Sequence, residues 1–192
     1  MIARENPFAP ARLEKVLAFD PALIGSSWEA LEQRWEALGF RGVVCGRHGS
    51  GKTTLLRAWA KRLEEKGEAP LRIFLNEEKR CLSHEDHRTL TEIRGRILFV
   101  DGEQHLPWRE KWLIRRASRE AAGVLVTRWR AGLSPVVCLL KPDAQLAFQL
   151  MQRASPEHTT RFSPVLDRRL ARHRGNLREL FLGCYDELAG LP

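Results

Sequence analysis

The sequence predicts an α/β fold: a parallel β-sheet covered by helices on both faces, followed by a small all-helical subdomain. Three observations carry this expectation. Five short apolar runs alternate with helical patterns between residues 41 and 140, and strands that read as near-continuous apolar runs are those buried on both faces of a parallel sheet. The first run leads directly into Gly46-Arg47-His48-Gly49-Ser50-Gly51-Lys52-Thr53, and a helical pattern follows it. Beyond residue 140 only helical periodicity remains.

Taken in order, residues 7–25 are punctuated by proline and hold one short helical stretch around Arg12 to Phe19. Ser26 with Glu29 has capping-box spacing, and Trp28, Leu31, Trp35 and Leu38 recur on one helical face before Gly39 stops it. The first strand is expected at Arg41–Cys45. The next helix, Thr53 to Leu63, has Leu55, Leu56, Trp59, Ala60 and Leu63 in helical register and ends by Gly67. Leu71–Leu75 is the second strand and the weakest of the five; residues 76–95 are polar and yield no element. Arg96–Val100 is the third strand, ending at Asp101. Pro107 is placed at the first position of a helix running through Ala121, where a missing N–H costs nothing. Gly123–Thr127 and Pro135–Leu140 complete the strands. In the helical remainder, Ala144, Ala147, Leu150 and Met151 share a face, Ser163-Pro164 starts a helix stopping at Gly175, and Asn176 with Glu179 caps a last helix carrying Leu177, Leu180, Phe181 and Tyr185. The division expected is a nucleotide-binding domain over 1–140, including a helical segment 1–40, and a lid over 141–192.

The 46–53 segment has the form G-x-x-x-x-G-K-[ST], and each position has a mechanical task. The glycines let backbone N–H groups turn toward a phosphate chain. Lys52 reaches the terminal phosphates, and the Thr53 hydroxyl ligates Mg²⁺. Because a helix follows, the phosphates would rest on its N-terminus, where orphan N–H groups and the dipole favour anions. The candidate cofactor-binding residues are therefore Gly46, Arg47, His48, Gly49, Ser50, Gly51, Lys52, Thr53 and Thr54, with ATP and Mg²⁺ as the cofactors. No guanine-reading N/T-K-x-D motif is present, which favours ATP over GTP. Asp101, 49 residues after Lys52 at a strand end, stands where proteins with such a loop hold a carboxylate that orders a Mg²⁺-bound water, and is the second candidate of the metal site after Thr53.

Hydrolysis needs a group that positions water. The position directly after Asp101 is Gly102, so Glu103 is the first candidate, with Glu77 and Glu78 as rivals. Turnover is accordingly expected on the low side of the ~1–100 s⁻¹ typical of phosphoryl transfer. Thr127 and Arg128 close the fourth strand and are candidates for contact with the terminal phosphate. Arg178 projects from the first turn of the last helix, where a cation opposes the dipole; a role in coupling lid position to bound phosphates would explain it there.

Composition narrows the class. The chain has 192 residues and a formal net charge of +8, enough for a substantial core and suited to phosphate-rich partners. Cys45, Cys81, Cys138 and Cys184 lie far apart without metal-site spacing, and three fall in apolar segments, as buried reduced thiols do. Neither a signal pattern nor an apolar run of about 18 residues occurs, so a cytoplasmic protein without a membrane span is expected.

The five strands, the phosphate loop, Asp101, Val126-Thr127-Arg128 and the Gly175-Asn176-Leu177-Arg178 helix start resemble the AAA+/STAND branch of P-loop ATPases. Asn6-Pro7-Phe8 is similar to openings in ATPases related to ExeA and TniB, and the layout also resembles a family of bacterial P-loop proteins. The resemblance implies a three-layer P-loop NTPase fold with strand order 5-1-4-3-2, the loop as Walker A, Asp101 as Walker B, Thr127 and Arg128 as sensor 1, and Arg178 as sensor 2. Two departures stand out. Gly102 displaces the acidic residue that normally follows the Walker B aspartate. Only about seven residues separate the fourth and fifth strands, leaving no helix to carry an arginine finger, which argues against a hexameric motor and for a nucleotide switch.

Three classes of activity fit these residues. In the first, an ATPase acts on DNA or RNA through the basic 107–121 helix, where Lys111, Arg115 and Arg119 recur at i, i+4 and i+8 beside Arg109 and Arg116, with Trp108 and Trp112 interleaved; the same tryptophans also fit a core face. In the second, a signalling or assembly switch has a protein partner or self-associates with nucleotide. In the third, a small-molecule kinase shares the loop and the size, but no arginine-rich acceptor lid is evident.

Overall fold

The structure, a computed structural model, describes residues 6–9, 12, 13 and 16–190. The helix expected around Arg12–Phe19 lies partly outside these residues. The described chain forms two compact units: residues 27–46 with 52–139, and residues up to 26 with 47–51 and 140 onward. The N-terminal stretch and the loop 47–51 thus group with the C-terminal helices, unlike the 1–140 and 141–192 division read from the sequence.

The first unit is the sheet. Its elements are α1 (Trp28–Ala37), β1 (Arg41–Gly46), α2 (Lys52–Glu65), β2 (Leu71–Phe74), α3 (His84–Thr91), β3 (Ile97–Asp101), α4 (Trp108–Ser118), β4 (Gly123–Arg128) and β5 (Val136–Leu140). The five strands lie in the order β2-β3-β4-β1-β5, which is the expected 5-1-4-3-2 read from the other edge. Successive side chains of each strand alternate between the two faces; both faces are buried in the central strands, whereas the edge strands leave Phe74 and Leu139 exposed. Val43, Cys45, Ile73, Leu98, Val100, Val124 and Val126 face one way and pack with Leu82, Ile93 and Ile114. Phe99 points the other way and meets the Trp35 ring at 6.2 Å; Trp35 in turn meets Trp59 at 5.6 Å. The Trp35 indole N–H donates to the Val124 carbonyl at 3.2 Å. A Cβ on Gly123 would come within 2.9 Å of the same indole, so glycine starts β4 where the ring lies against the backbone.

Local signals account for most boundaries, with some adjustments. The cap of α1 is Ser27 rather than Ser26; its side chain accepts from the Ala30 N–H. In the polar 76–95 stretch, α3 forms behind a full capping box in which Ser83 and Asp86 satisfy each other's backbone amides. Pro107 is the residue before α4 rather than its first position, and the helix ends at Ser118, so Arg119 lies just beyond it. Residues 129–135 carry no helix, as expected.

The second unit is helical: α5 (Ala144–Ala154), α6 (Pro156–Phe162), α7 (Leu166–Arg172) and α8 (Leu177–Ala189). A single helix from Ser163 is not what forms. Ser163–Val165 is a 3₁₀ turn leading into α7, and α6 precedes it. Phe8 is fully buried here, stacked on Phe181 at 5.9 Å and edge-on to Phe162 at 5.7 Å. Asn6 fixes it: its amide donates to the Tyr185 carbonyl at 2.9 Å, and its carbonyl accepts from the Phe8 N–H at 3.0 Å. Cys45, Cys138 and Cys184 are buried and Cys81 is exposed. Burial pushes the Cys138 and Cys184 thiols up to about 11. No helix among the described residues is long and apolar enough to cross a membrane.

Candidate nucleotide-binding site

In the sheet unit the chemistry gathers at the carboxyl ends of adjacent strands. Register pairs Val44 with Thr127, Cys45 with Arg128, and Phe74 with Asp101. Gly46 ends β1 and Lys52 opens α2. The Lys52 ammonium is buried and donates to the Gly46 carbonyl at 2.8 Å. Burial pulls its pKa down, and the Asp101 charge pulls it partly back up. Thr53 is half-buried and Thr54 is exposed.

Asp101 is oriented by Thr127. The Thr127 hydroxyl donates to Asp101 Oδ1 at 2.6 Å and accepts from the Gly102 N–H at 2.8 Å. Asp101 Oδ2 is buried without a hydrogen-bond partner. A buried carboxylate oxygen left unpaired is costly, and this one suits a hydrated hard cation, which takes oxygen ligands and retains waters. A cavity of about 150 Å³ lies alongside, lined by Thr53, Arg57, Arg72, Phe99 and Asp101 among others. Thr53 and Asp101 therefore fit the Mg²⁺ that the loop motif implies.

The displaced acidic residue has a steric cause. Gly102 has φ +84°, and a Cβ there would lie 2.2 Å from the Leu75 carbonyl oxygen. No side chain fits at 102, and the next residue, Glu103, opens the 3₁₀ turn Glu103–His105. Glu103 is only 4% exposed and is paired with the Arg128 guanidinium. Arg128 also donates to Ser134 Oγ at 2.6 Å. Two candidates that the sequence treats separately are thus one ion pair, its carboxylate buried and its guanidinium half-buried. Ser134 is not legible from the sequence, because a serine in a loop gives no signal of its own. Glu77 and Glu78 are exposed in the turn after β2.

The loop 47–51 is described with the helical unit. Gly49 (φ +70°) and Gly51 (φ +95°) adopt left-handed backbone that favours glycine. The start of α8 rests on Gly49: the Leu177 N–H donates to the Gly49 carbonyl at 3.2 Å, and Arg47 donates to the Arg174 carbonyl at 3.5 Å. Asn176 caps α8 by accepting from the Glu179 N–H at 3.2 Å. A Cβ on Gly49 would lie 1.6 Å from that same Asn176 Oδ1. Ser50 Oγ is buried without a partner, whereas Arg47 and His48 are exposed. Arg178 is exposed on the first turn of α8.

A five-stranded parallel sheet of this order, with the phosphate-loop motif between its first strand and the following helix, has the P-loop NTPase fold. No family model and no curated protein sequence matches the chain. Solved structures do. Orc1 of Aeropyrum pernix, determined in complex with DNA, superposes with a TM-score of 0.61 at 19% identity over 96% of this chain and 63% of its own. Drosophila ORC bound to DNA gives 0.53 at 15% identity, covering 100% and 63%, and Cdc6p of Pyrobaculum aerophilum gives 0.50 at 15%, covering 78% and 53%. The likeness is one of fold, and this chain spans just over half to about two thirds of the length of those chains.

Proposed function

We propose that this protein is an ATP-dependent switch that binds ATP with Mg²⁺ on residues 46–54, hydrolyses it slowly and acts on DNA. The observation that carries the nucleotide half is Asp101: its Oδ1 is fixed by Thr127 and its Oδ2 is buried and unpaired, on β3, with β4 between it and β1, whose last residue Gly46 accepts from the buried Lys52. Mg²⁺, held by Thr53 and Asp101, would neutralise charge between phosphate oxygens. Lys52 would exchange its Gly46 carbonyl for the terminal phosphates. Slow turnover follows from Glu103, which can orient water only when it leaves Arg128. Arg178 carries the coupling between phosphates and lid, supported by the seating of the α8 start on Gly49. The DNA half draws support from the net charge of +8 and from two structural neighbours determined with DNA.

The test is steady-state ATP hydrolysis at low salt, with and without mixed DNA, on wild type and Lys52→Ala. DNA-stimulated turnover that vanishes in the variant supports the switch on DNA. Turnover unaffected by Lys52→Ala removes the proposed site. Slow turnover indifferent to DNA points instead to a protein-partnered switch, the reading that the Gly49–α8 contact alone would serve.

A further inference from the structure

The surface of α4 carries a feature that nucleotide binding does not use. Periodicity allows Trp108 and Trp112 to be core residues, yet they are 73% and 53% exposed. The inward side of the helix is instead the buried Ile114 with the half-buried Glu110, whose carboxylate accepts the Leu82 N–H at 2.7 Å. That leaves both indoles and Leu113 in water, lining a surface groove of about 420 Å³ with Arg109. The guanidinium of Arg109 lies 5.6 Å from the Trp108 ring centre, and that of Arg116 lies 5.6 Å from the Trp112 ring centre. Arg115 and Arg119 are exposed as well, while the one acidic residue of α4 is the inward Glu110.

Exposed indoles cost hydration free energy, and a row of them among cations calls for an occupant that is both flat-faced and anionic. Spacing at i, i+4 sets the two rings about 6 Å apart along the helix axis. Duplex DNA supplies phosphates but keeps its base faces stacked inside, so two indoles would gain little from it. A single strand offers both, its bases stacking on aromatic rings and its backbone neutralised by arginine. We propose that Trp108 and Trp112, with Arg109 and Arg116, form a stacking platform for single-stranded nucleic acid; this rests on the nucleic-acid reading above and specifies the form of its ligand. The platform begins seven residues beyond Asp101 in the chain, on the segment that also bears Glu103. Trp129, 53% exposed and edge-on to His105 at 6.2 Å, lies next to Arg128 in sequence, so strand engagement has a short covalent route to the Glu103–Arg128 pair.

The experiment is fluorescence anisotropy of labelled oligothymidylate and of a duplex of equal length. It is run across a salt series on wild type, Trp108→Ala/Trp112→Ala and Arg109→Gln/Arg116→Gln, with ATP affinity measured on each. The platform predicts tighter binding of the single strand than of the duplex. The double tryptophan variant should lose about tenfold or more on the single strand, with ATP affinity and folding unchanged because both side chains are on the surface. The arginine variant should lower the slope of log affinity against log salt by about 1.4, at about 0.7 per phosphate contact. Equal affinity for strand and duplex, or a tryptophan variant that binds oligothymidylate like wild type, overturns the platform; DNA binding retained by that variant would still leave the broader reading standing. Association with phosphatidylserine vesicles and not with oligothymidylate also overturns it, assigning the same indoles to a lipid surface.

Discussion

Gly49 packs against the start of α8, and Gly49→Ala measures that junction. The added Cβ would lie 1.6 Å from Asn176 Oδ1, 2.4 Å from its Cγ and 3.2 Å from its Cα, so the asparagine side chain must leave. Three costs follow. A left-handed alanine costs about 1–2 kcal/mol, loss of the Asn176 cap about 1 kcal/mol, and loss of the Leu177 N–H bond to the Gly49 carbonyl about 1 kcal/mol. The sum is about 3–4 kcal/mol, of which only the first part belongs to residue 49 itself. Asn176→Ala alone should cost about 1 kcal/mol through the cap. In that background Gly49→Ala should add little beyond its backbone strain, because the collision is gone. A double-mutant cycle by urea denaturation therefore predicts a coupling of about 2 kcal/mol. Strict additivity of the two substitutions would refute the argument that Asn176 occupies the space a side chain at 49 needs.

Other predictions follow from single contacts. Thr127→Val leaves Asp101 Oδ1 and the Gly102 N–H without the hydroxyl they share; each orphaned buried group costs about 1–3 kcal/mol, measurable by calorimetric melting, and Thr127→Ser should restore most of it. Arg128→Gln strands the buried Glu103 carboxylate and should destabilise by up to about 3–5 kcal/mol; Arg128→Gln/Glu103→Gln should recover much of the loss in the same urea assay. Acid stability should report on Asp86. Burial pushes its pKa up, but the hydrogen bonds from Lys79 and Ser83 outweigh this and hold it below its ordinary 3.8. Its folded-state pKa is depressed, so its contribution is full above the unfolded value and is lost as pH falls through the folded one. Asp86→Asn should flatten that limb of a stability–pH curve; an unchanged acid limb would remove Asp86 from the account.

The strands were legible because burial on both faces leaves a contiguous apolar signature, and the 46–53 loop because its chemistry fixes residue types at fixed spacing. Where tertiary contacts decide, the sequence was ambiguous. Alternatives at α4 stayed open because Glu110 occupies an inward position, and its pairing with the Leu82 amide is invisible in a periodicity count. The helix α3 lies in a stretch whose polarity hides it, although Ser83 and Asp86 have the spacing of a capping box. Asn176 was readable as a helix cap, but its packing on Gly49 joins residues 127 apart. Likewise, Gly102 was visible as a departure from the expected acidic residue, while its cause, the Leu75 carbonyl behind it, needed the fold.

The most direct test of the central claim is calorimetric titration of ATP with and without Mg²⁺ into wild type, Lys52→Ala and Asp101→Asn. The account predicts that wild type binds ATP more tightly with Mg²⁺. Lys52→Ala should lose about 1.5–3 kcal/mol or more of binding free energy, the worth of a charge-assisted contact. Asp101→Asn should remain folded and lose the Mg²⁺ dependence, since its Oδ2 is the oxygen left for the cation. Equal ATP affinity in wild type and Lys52→Ala, or a Mg²⁺ effect that survives Asp101→Asn, would contradict it.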